Sequence, residues 1–176
     1  WALDIGRIAA AVTPATRVIF FNSPSNPTGW TATREDIEAV LKLARDNNLW
    51  IIADEIYARF YFDGPRAPSF MDVMRPDDRI IFVNTFSKNW SMTGWRIGWV
   101  TVHPELQQVF ENLVQYSTSG VAPFMQRGAV AALDEGDAFV VATIERARQA
   151  RDIVCSALAR TGRVRFAAPP GAFYLF

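Results

Sequence analysis

Lys88 is the side chain with the most chemistry to offer and the least ordinary position. It lies in Thr85-Phe86-Ser87-Lys88, directly after the apolar run Arg79-Ile80-Ile81-Phe82-Val83-Asn84. An apolar run bounded by small polar residues predicts a buried strand. Eight positions further on stands Arg96. The pattern therefore sets an amine, two hydroxyls and a guanidinium where a parallel sheet opens into its crevice. Lysine normally snorkels into water, so one at the end of a core strand needs a reason. Holding an aldehyde cofactor as an imine, with the hydroxyls and the arginine gripping its phosphate, supplies one.

Two further strand ends carry polar residues. Arg17–Asn22 predicts a first strand, followed by the turn-rich Ser23-Pro24-Ser25-Asn26-Pro27-Thr28-Gly29, and Leu49–Ala53 predicts a second, closed by Asp54-Glu55 with Tyr57 just beyond. In open α/β sheets ligands sit outside the carboxyl ends of the strands, so the convergence of Asn26, Asp54, Tyr57 and Lys88 says more than any one of them. Taken alone, Asp54 reads more readily as a helix cap or an ion-pair partner, Tyr57 as packing, and Asn26–Gly29 as a common turn. An unpaired Asp54 carboxylate emerging from a dry strand would be costly or would protonate; a buried cation, such as a protonated pyridine nitrogen, would resolve this. Arg96, between Trp95 and Ile97 in apolar sequence, calls for a phosphate or a carboxylate.

The elements that must position these groups follow from periodicity. Thr33 and Asp36 form a capping pattern ahead of a helix with Ile37, Val40, Leu41 and Ala44 on one face. Gly64, Pro65, Pro68 and Pro76 break any regular element between the second and third strands. Gly94–Val100 predicts a fourth strand, too close to the third for a crossover and hence antiparallel to it. Helices are predicted from Pro104 to about Tyr116, over about 124–135 and over 137–161, with Gly162 ending the last. The order β-α-β-β-β-α-α-α, with fully apolar strands, indicates an α/β fold: a mostly parallel sheet with helices on both faces and one antiparallel strand. Residues 1–161 read as part of one large domain and 162–176 as the start of a smaller one.

Composition narrows the function classes. The 18 basic residues balance the 18 acidic ones with no run of like charge, which argues against nucleic acid and anionic membrane as partners. Cys155 is the only cysteine, permits no intrachain disulfide, and favours a reducing, cytoplasmic setting. The sole histidine, His103, precedes Pro104 at a helix start and reads as structural. Histidine triads and zinc sites then lack parts, no metal is expected, and lysine is the expected general base. The chain starts at Trp1 and stops in the apolar Ala172–Phe176, which reads as a piece of a longer protein.

Together, Asn-Pro-Thr-Gly at 26–29, Asp-Glu-Ile-Tyr at 54–57, Ser-Lys at 87–88, Gly-Trp-Arg-Ile-Gly at 94–98 and Pro-Gly-Ala-Phe-Tyr at 170–174 resemble the fold-type I, class I/II aminotransferases of the aspartate aminotransferase superfamily. The resemblance implies pyridoxal 5'-phosphate as cofactor. It implies that Lys88 forms the internal aldimine and moves a proton, and that Asp54 holds the pyridine nitrogen. Tyr57 and Asn26 would bond the phenolic oxygen, Asn26 also lying near the substrate carboxylate; Ile56 would pack on the ring. Thr85, standing where many relatives have serine, would bind the phosphate with Ser87 and Arg96.

The implied reaction is transamination between an amino acid and a 2-oxo acid, in a homodimer with the site at the subunit interface. The family's ring-stacking aromatic lies upstream of Trp1 and its carboxylate-binding arginine downstream of Phe176, so this piece alone is expected to be inactive. Some dicarboxylate-specific relatives carry an arginine in a segment resembling 117–122; none stands there. Two alternatives stay open: a carbon–sulfur lyase of the same fold, and an aminotransferase-like sensor domain of a transcription regulator.

Overall fold

The structure, a computed structural model, describes residues 1–176. Its framework is a four-stranded sheet in the order β1 (Val18–Asn22), β2 (Trp50–Asp54), β3 (Ile80–Thr85) and β4 (Gly98–Thr101). The β1–β2 and β2–β3 pairs are parallel and β3–β4 is antiparallel, as the spacing predicts. Register matters more than order here. Asn22 pairs with Asp54, and Asp54 with Val83, so the polar tails of the parallel strands finish side by side.

Helix α2 (Arg34–Asp46) explains why one sheet face is dry. Thr33 accepts the Asp36 N–H and Asp36 accepts the Thr33 N–H, a reciprocal cap that contributes about 0.5–2 kcal/mol. Ile37, Val40, Leu41 and Ala44 then bury against Phe21, Ile51, Ala53, Ile80 and Phe82. Each large apolar side chain so buried contributes roughly 1.5–3 kcal/mol. Arg45 closes the helix by donating to both Asp78 carboxylate oxygens at 2.7 and 2.6 Å, fixing the entry to β3 and holding the buried Asp78 below the usual carboxylate range. The opposite face, which carries Asn22 and Asp54, is the more open one: Phe20 is 65 % exposed, and Ile52, Ile81 and Val83 are half-buried.

The remaining helices are α4 (Gln107–Ser117), α5 (Pro123–Glu135) and α6 (Asp137–Thr161), the last ending at Gly162 in the left-handed conformation. No helix is long and apolar enough to cross a membrane. Ala129 of α5 packs on Phe86, Met92 and Ile97 behind the Lys88 segment, and Ile144 and Ala147 of α6 pack near Tyr57 and Phe60.

Two expectations need correction. The returning strand begins at Gly98, not Gly94; Thr93–Trp95 form a 3-10 turn, and Arg96 leaves it left-handed at φ 52°. Arg96 is therefore exposed in a loop, not set in a strand. The cause is local. The Ile97 carbonyl accepts both the Thr85 hydroxyl and the Phe86 N–H, which takes the chain out of the ladder, and a Cβ on Gly98 would lie 2.5 Å from the Asn84 carbonyl oxygen. Two short helices also went unpredicted: α1 (Ile5–Ala11), which buries no residue, and α3 (Phe86–Asn89), a single turn behind β3.

Candidate active site

The site forms where β1, β2 and β3 end. Asp54 is the last residue of β2, and alternation sends its side chain to the face opposite α2. Its Oδ1 accepts the Ile56 N–H at 3.3 Å, and the Asn22 side-chain amide donates to its backbone carbonyl at 3.3 Å. Burial raises the Asp54 carboxyl above the usual carboxylate range, with these two groups opposing the rise. No lysine or arginine pairs with it, so the ion-pair reading of Asp54 does not apply. Glu55 points the other way. It accepts from the Ser69 hydroxyl and the Phe70 N–H, and anchors the 69–72 turn. The adjacent acids thus divide the work, one aimed at the site and one tied into the scaffold.

Tyr57 lies one turn beyond Asp54 and is only 1 % exposed. Its hydroxyl meets that of Tyr174 at 2.6 Å. Burial first, then the Tyr174 hydrogen bond and charge, push the phenol far above its usual range; the Asp54 charge acts in the same direction and the Asn26 amide against it. Lys88, in α3, places Nζ 5.7 Å from the centre of the Tyr57 ring and 5.9 Å from that of Phe173, within cation–π reach of both. Asp54, Asn26 and Lys88 therefore all lie within reach of one phenol. Ile56 is half-buried beside Tyr57 and Phe60.

The hydroxyls and the guanidinium lie on the segment that leaves β3 and returns in β4. Thr85 Oγ1 caps α3 by accepting the Ser87 N–H at 3.1 Å, while it donates to the Ile97 carbonyl at 3.2 Å. Ser87 is buried. Arg96 follows one residue before Ile97, with one guanidinium nitrogen donating to the Thr93 carbonyl at 3.0 Å.

Sequence reasoning gave no role to Asn22, Phe173 or Tyr174. Asn22 links the ends of β1 and β2 through its amide, and its Oδ1 also holds the following turn by accepting the Asn26 N–H at 2.8 Å. Its only sequence signal is an amide closing an apolar strand. Residues 169–174 return across the site as a strap: Ala172 N–H donates to the Phe60 carbonyl at 2.7 Å, and Phe62 N–H to the Pro170 carbonyl at 2.9 Å.

The strap leans on the Asn26 turn at Gly29. There φ is +68°, and a Cβ would lie 2.3 Å from Pro169 Cβ and 3.3 Å from the Tyr174 carbonyl oxygen. Gly29→Ala is therefore expected to lower stability by about 1–3 kcal/mol in denaturant titration and to loosen the strap. An alanine variant with wild-type stability would contradict this packing.

These features can be compared with known proteins. The family model described as aminotransferase class I and II matches residues 1–176. The chain belongs to that family. It is 36 % identical over 180 residues to the probable aspartate aminotransferase of Methanocaldococcus jannaschii, covering 99 % of this chain and 46 % of that protein. It is also 36 % identical over 169 residues to the arginine–pyruvate transaminase AruH of Pseudomonas aeruginosa, covering 96 % and 42 %. Among solved structures, the aromatic aminotransferase of Pyrococcus horikoshii superposes with a TM-score of 0.92 at 31 % identity, over 99 % of this chain and 47 % of that one. The α/β fold with one antiparallel strand is thus the family's fold, and the family's cofactor is pyridoxal 5'-phosphate. The chain spans a little under half the length of these aminotransferases.

Proposed function

We propose that the full-length protein catalyses transamination between an amino acid and a 2-oxo acid with pyridoxal 5'-phosphate bound at the Lys88–Asp54–Tyr57 site. The observation that carries this is the pair of unmet charges facing one phenol. Asp54 is raised by burial and lacks a cation, and the Lys88 amine lies over two aromatic rings without a carboxylate partner. An aromatic aldehyde with a protonatable ring nitrogen satisfies both. Bound there, the cofactor supplies an electron sink for the carbanion at the substrate Cα.

The chain's own residues do the rest. Lys88 Nζ would hold the cofactor covalently and would act as the base that carries the proton to and from the substrate Cα. Asp54 holds a proton on the pyridine nitrogen through a charge-assisted hydrogen bond in a dry setting. Tyr57 and Asn26 donate to the phenolic oxygen, Asn26 also lies near the substrate carboxylate, and Ile56 packs on the ring. Ser87 and Arg96 grip the phosphate together with Thr85, whose hydroxyl also holds the loop at Ile97. The proton that Thr85 gives the Ile97 carbonyl suits it more to shaping that grip than to extending it.

Residues 1–161 are proposed as part of the cofactor-binding large domain and 162–176 as the start of the small one. The whole protein is read as a cytoplasmic homodimer, with exposed Tyr116 and Phe124 on helices that an intact assembly would cover. The excised chain is read as inactive.

The test is incubation of the full-length protein with a panel of amino acids plus 2-oxoglutarate or pyruvate. Conversion of the acceptor to its amino acid is expected. Pyruvate and ammonia released without any acceptor would reject transamination in favour of elimination.

A further inference from the structure

The structure assigns Tyr174 as a positioning residue: its hydroxyl donates to Tyr57 and so directs the Tyr57 proton at the phenolic oxygen of the bound cofactor. This rests on the proposed function and extends it to a residue with no previous role.

The geometry is specific. The two phenol oxygens are 2.6 Å apart, and the rings meet edge to face at 5.7 Å. Tyr174 is held in place at both ends of its contact. Its strap is hydrogen-bonded to the 60–62 segment, and its carbonyl oxygen rests against Gly29 of the turn that carries Asn26. Phe173 packs on the Tyr57, Phe60 and Tyr174 rings, with centroids at 5.3, 5.2 and 4.9 Å, so while the strap is seated the hydroxyl is held toward Tyr57.

One proton bridges the two oxygens, and either phenol could supply it. Each hydroxyl has one proton to give and two lone pairs to receive. If Tyr57 gave its proton to Tyr174, it would turn a lone pair toward an anionic oxygen, which is repulsive. With Tyr174 as donor, the chain Tyr174 to Tyr57 to phenolic oxygen is fully bonded, and each bond polarises the next. The other groups facing Tyr57 leave this order intact. Asp54 acts on Tyr57 through its charge and not through a hydrogen bond, Lys88 lies over the ring face and not at the hydroxyl, and an Asn26 amide donating to the Tyr57 oxygen takes its second lone pair and leaves its proton free.

A stronger donor on the phenolic oxygen favours the deprotonated form of the bound cofactor, so losing it raises the pH at which that proton leaves. The experiment follows the visible absorption of pyridoxal phosphate bound to the full-length protein as pH is varied, in wild type, Tyr174→Phe, Tyr57→Phe and the double variant. Phenylalanine keeps the ring packing and removes one hydroxyl. The midpoint in Tyr174→Phe is expected to rise by about half to one pH unit. Adding Tyr174→Phe to Tyr57→Phe is expected to move it no further, because the two act in series. An unmoved midpoint, or an equal shift without Tyr57, overturns the assignment. A wild-type protein that takes up no pyridoxal phosphate overturns the underlying function as well, so the two failures are distinguishable.

Discussion

Lys88→Ala in the full-length protein is expected to abolish the borohydride-reducible attachment of pyridoxal phosphate and to lower transamination by about ten-thousandfold. Within these 176 residues the only other lysine is Lys42. Lys42 is exposed on α2, which covers the sheet face opposite to that of Asp54, and is paired with Asp46 at 2.5 Å. Mass analysis of the reduced protein locates the adduct. Label recovered on any lysine in the alanine variant would remove Lys88 from its role, and with it the reason for an amine among the Tyr57 and Phe173 rings.

Asp54→Asn is expected to divide function from stability. Activity should fall about a hundred- to a thousandfold, since a neutral amide cannot keep a proton on the ring nitrogen as charge develops. The cofactor-free protein should instead become more stable than wild type at neutral pH. The sign follows from burial, which raises the folded-state carboxyl of Asp54 above its ordinary value near 3.8. A group raised in this way supports the fold while protonated, below its unfolded value, and withdraws that support as pH climbs through the folded value. The advantage of the variant should therefore appear on going from acid toward neutrality and vanish at acid pH. Glu55 is raised by burial too, and leaves the same slope in both proteins, so only the difference between them reports Asp54. Thermal unfolding of the two cofactor-free proteins across that range provides the comparison. Wild-type turnover in the variant, or a variant less stable at neutral pH, would count against the assignment.

How much of this was legible in the sequence depends on the range of the interaction that decides it. The three parallel strands and α2 announce themselves through apolar runs and a capping pattern, both local. Lys88, Asp54 and Tyr57 were legible because each follows a strand that must end at the same sheet edge. The course of residues 94–97 was not. Seven residues with two tryptophans, an isoleucine and a valine resemble a strand, but the bonds that turn Arg96 out of it come from Thr85 and Phe86, eleven and ten positions away. The α1 helix lacks the apolar stripe that would have marked it, since it buries nothing. Tyr174 was illegible for a different reason: its partner lies 117 residues earlier, and no local pattern encodes a meeting at that separation.

That separation bears on the order in which the protein becomes itself. The sheet can zip up from neighbours in sequence, whereas the strap must wait until nearly the whole chain has emerged and doubled back. The entropic penalty of so wide a closure grows only slowly with span. It is met by a short bridge at Tyr61 and Gly171 and a handful of aromatic edges, far fewer bonds than hold the strands. Such an edge can lift while the layers beneath stay shut. Tyr57 thus acquires its native environment last of all the site residues, and gives it up first.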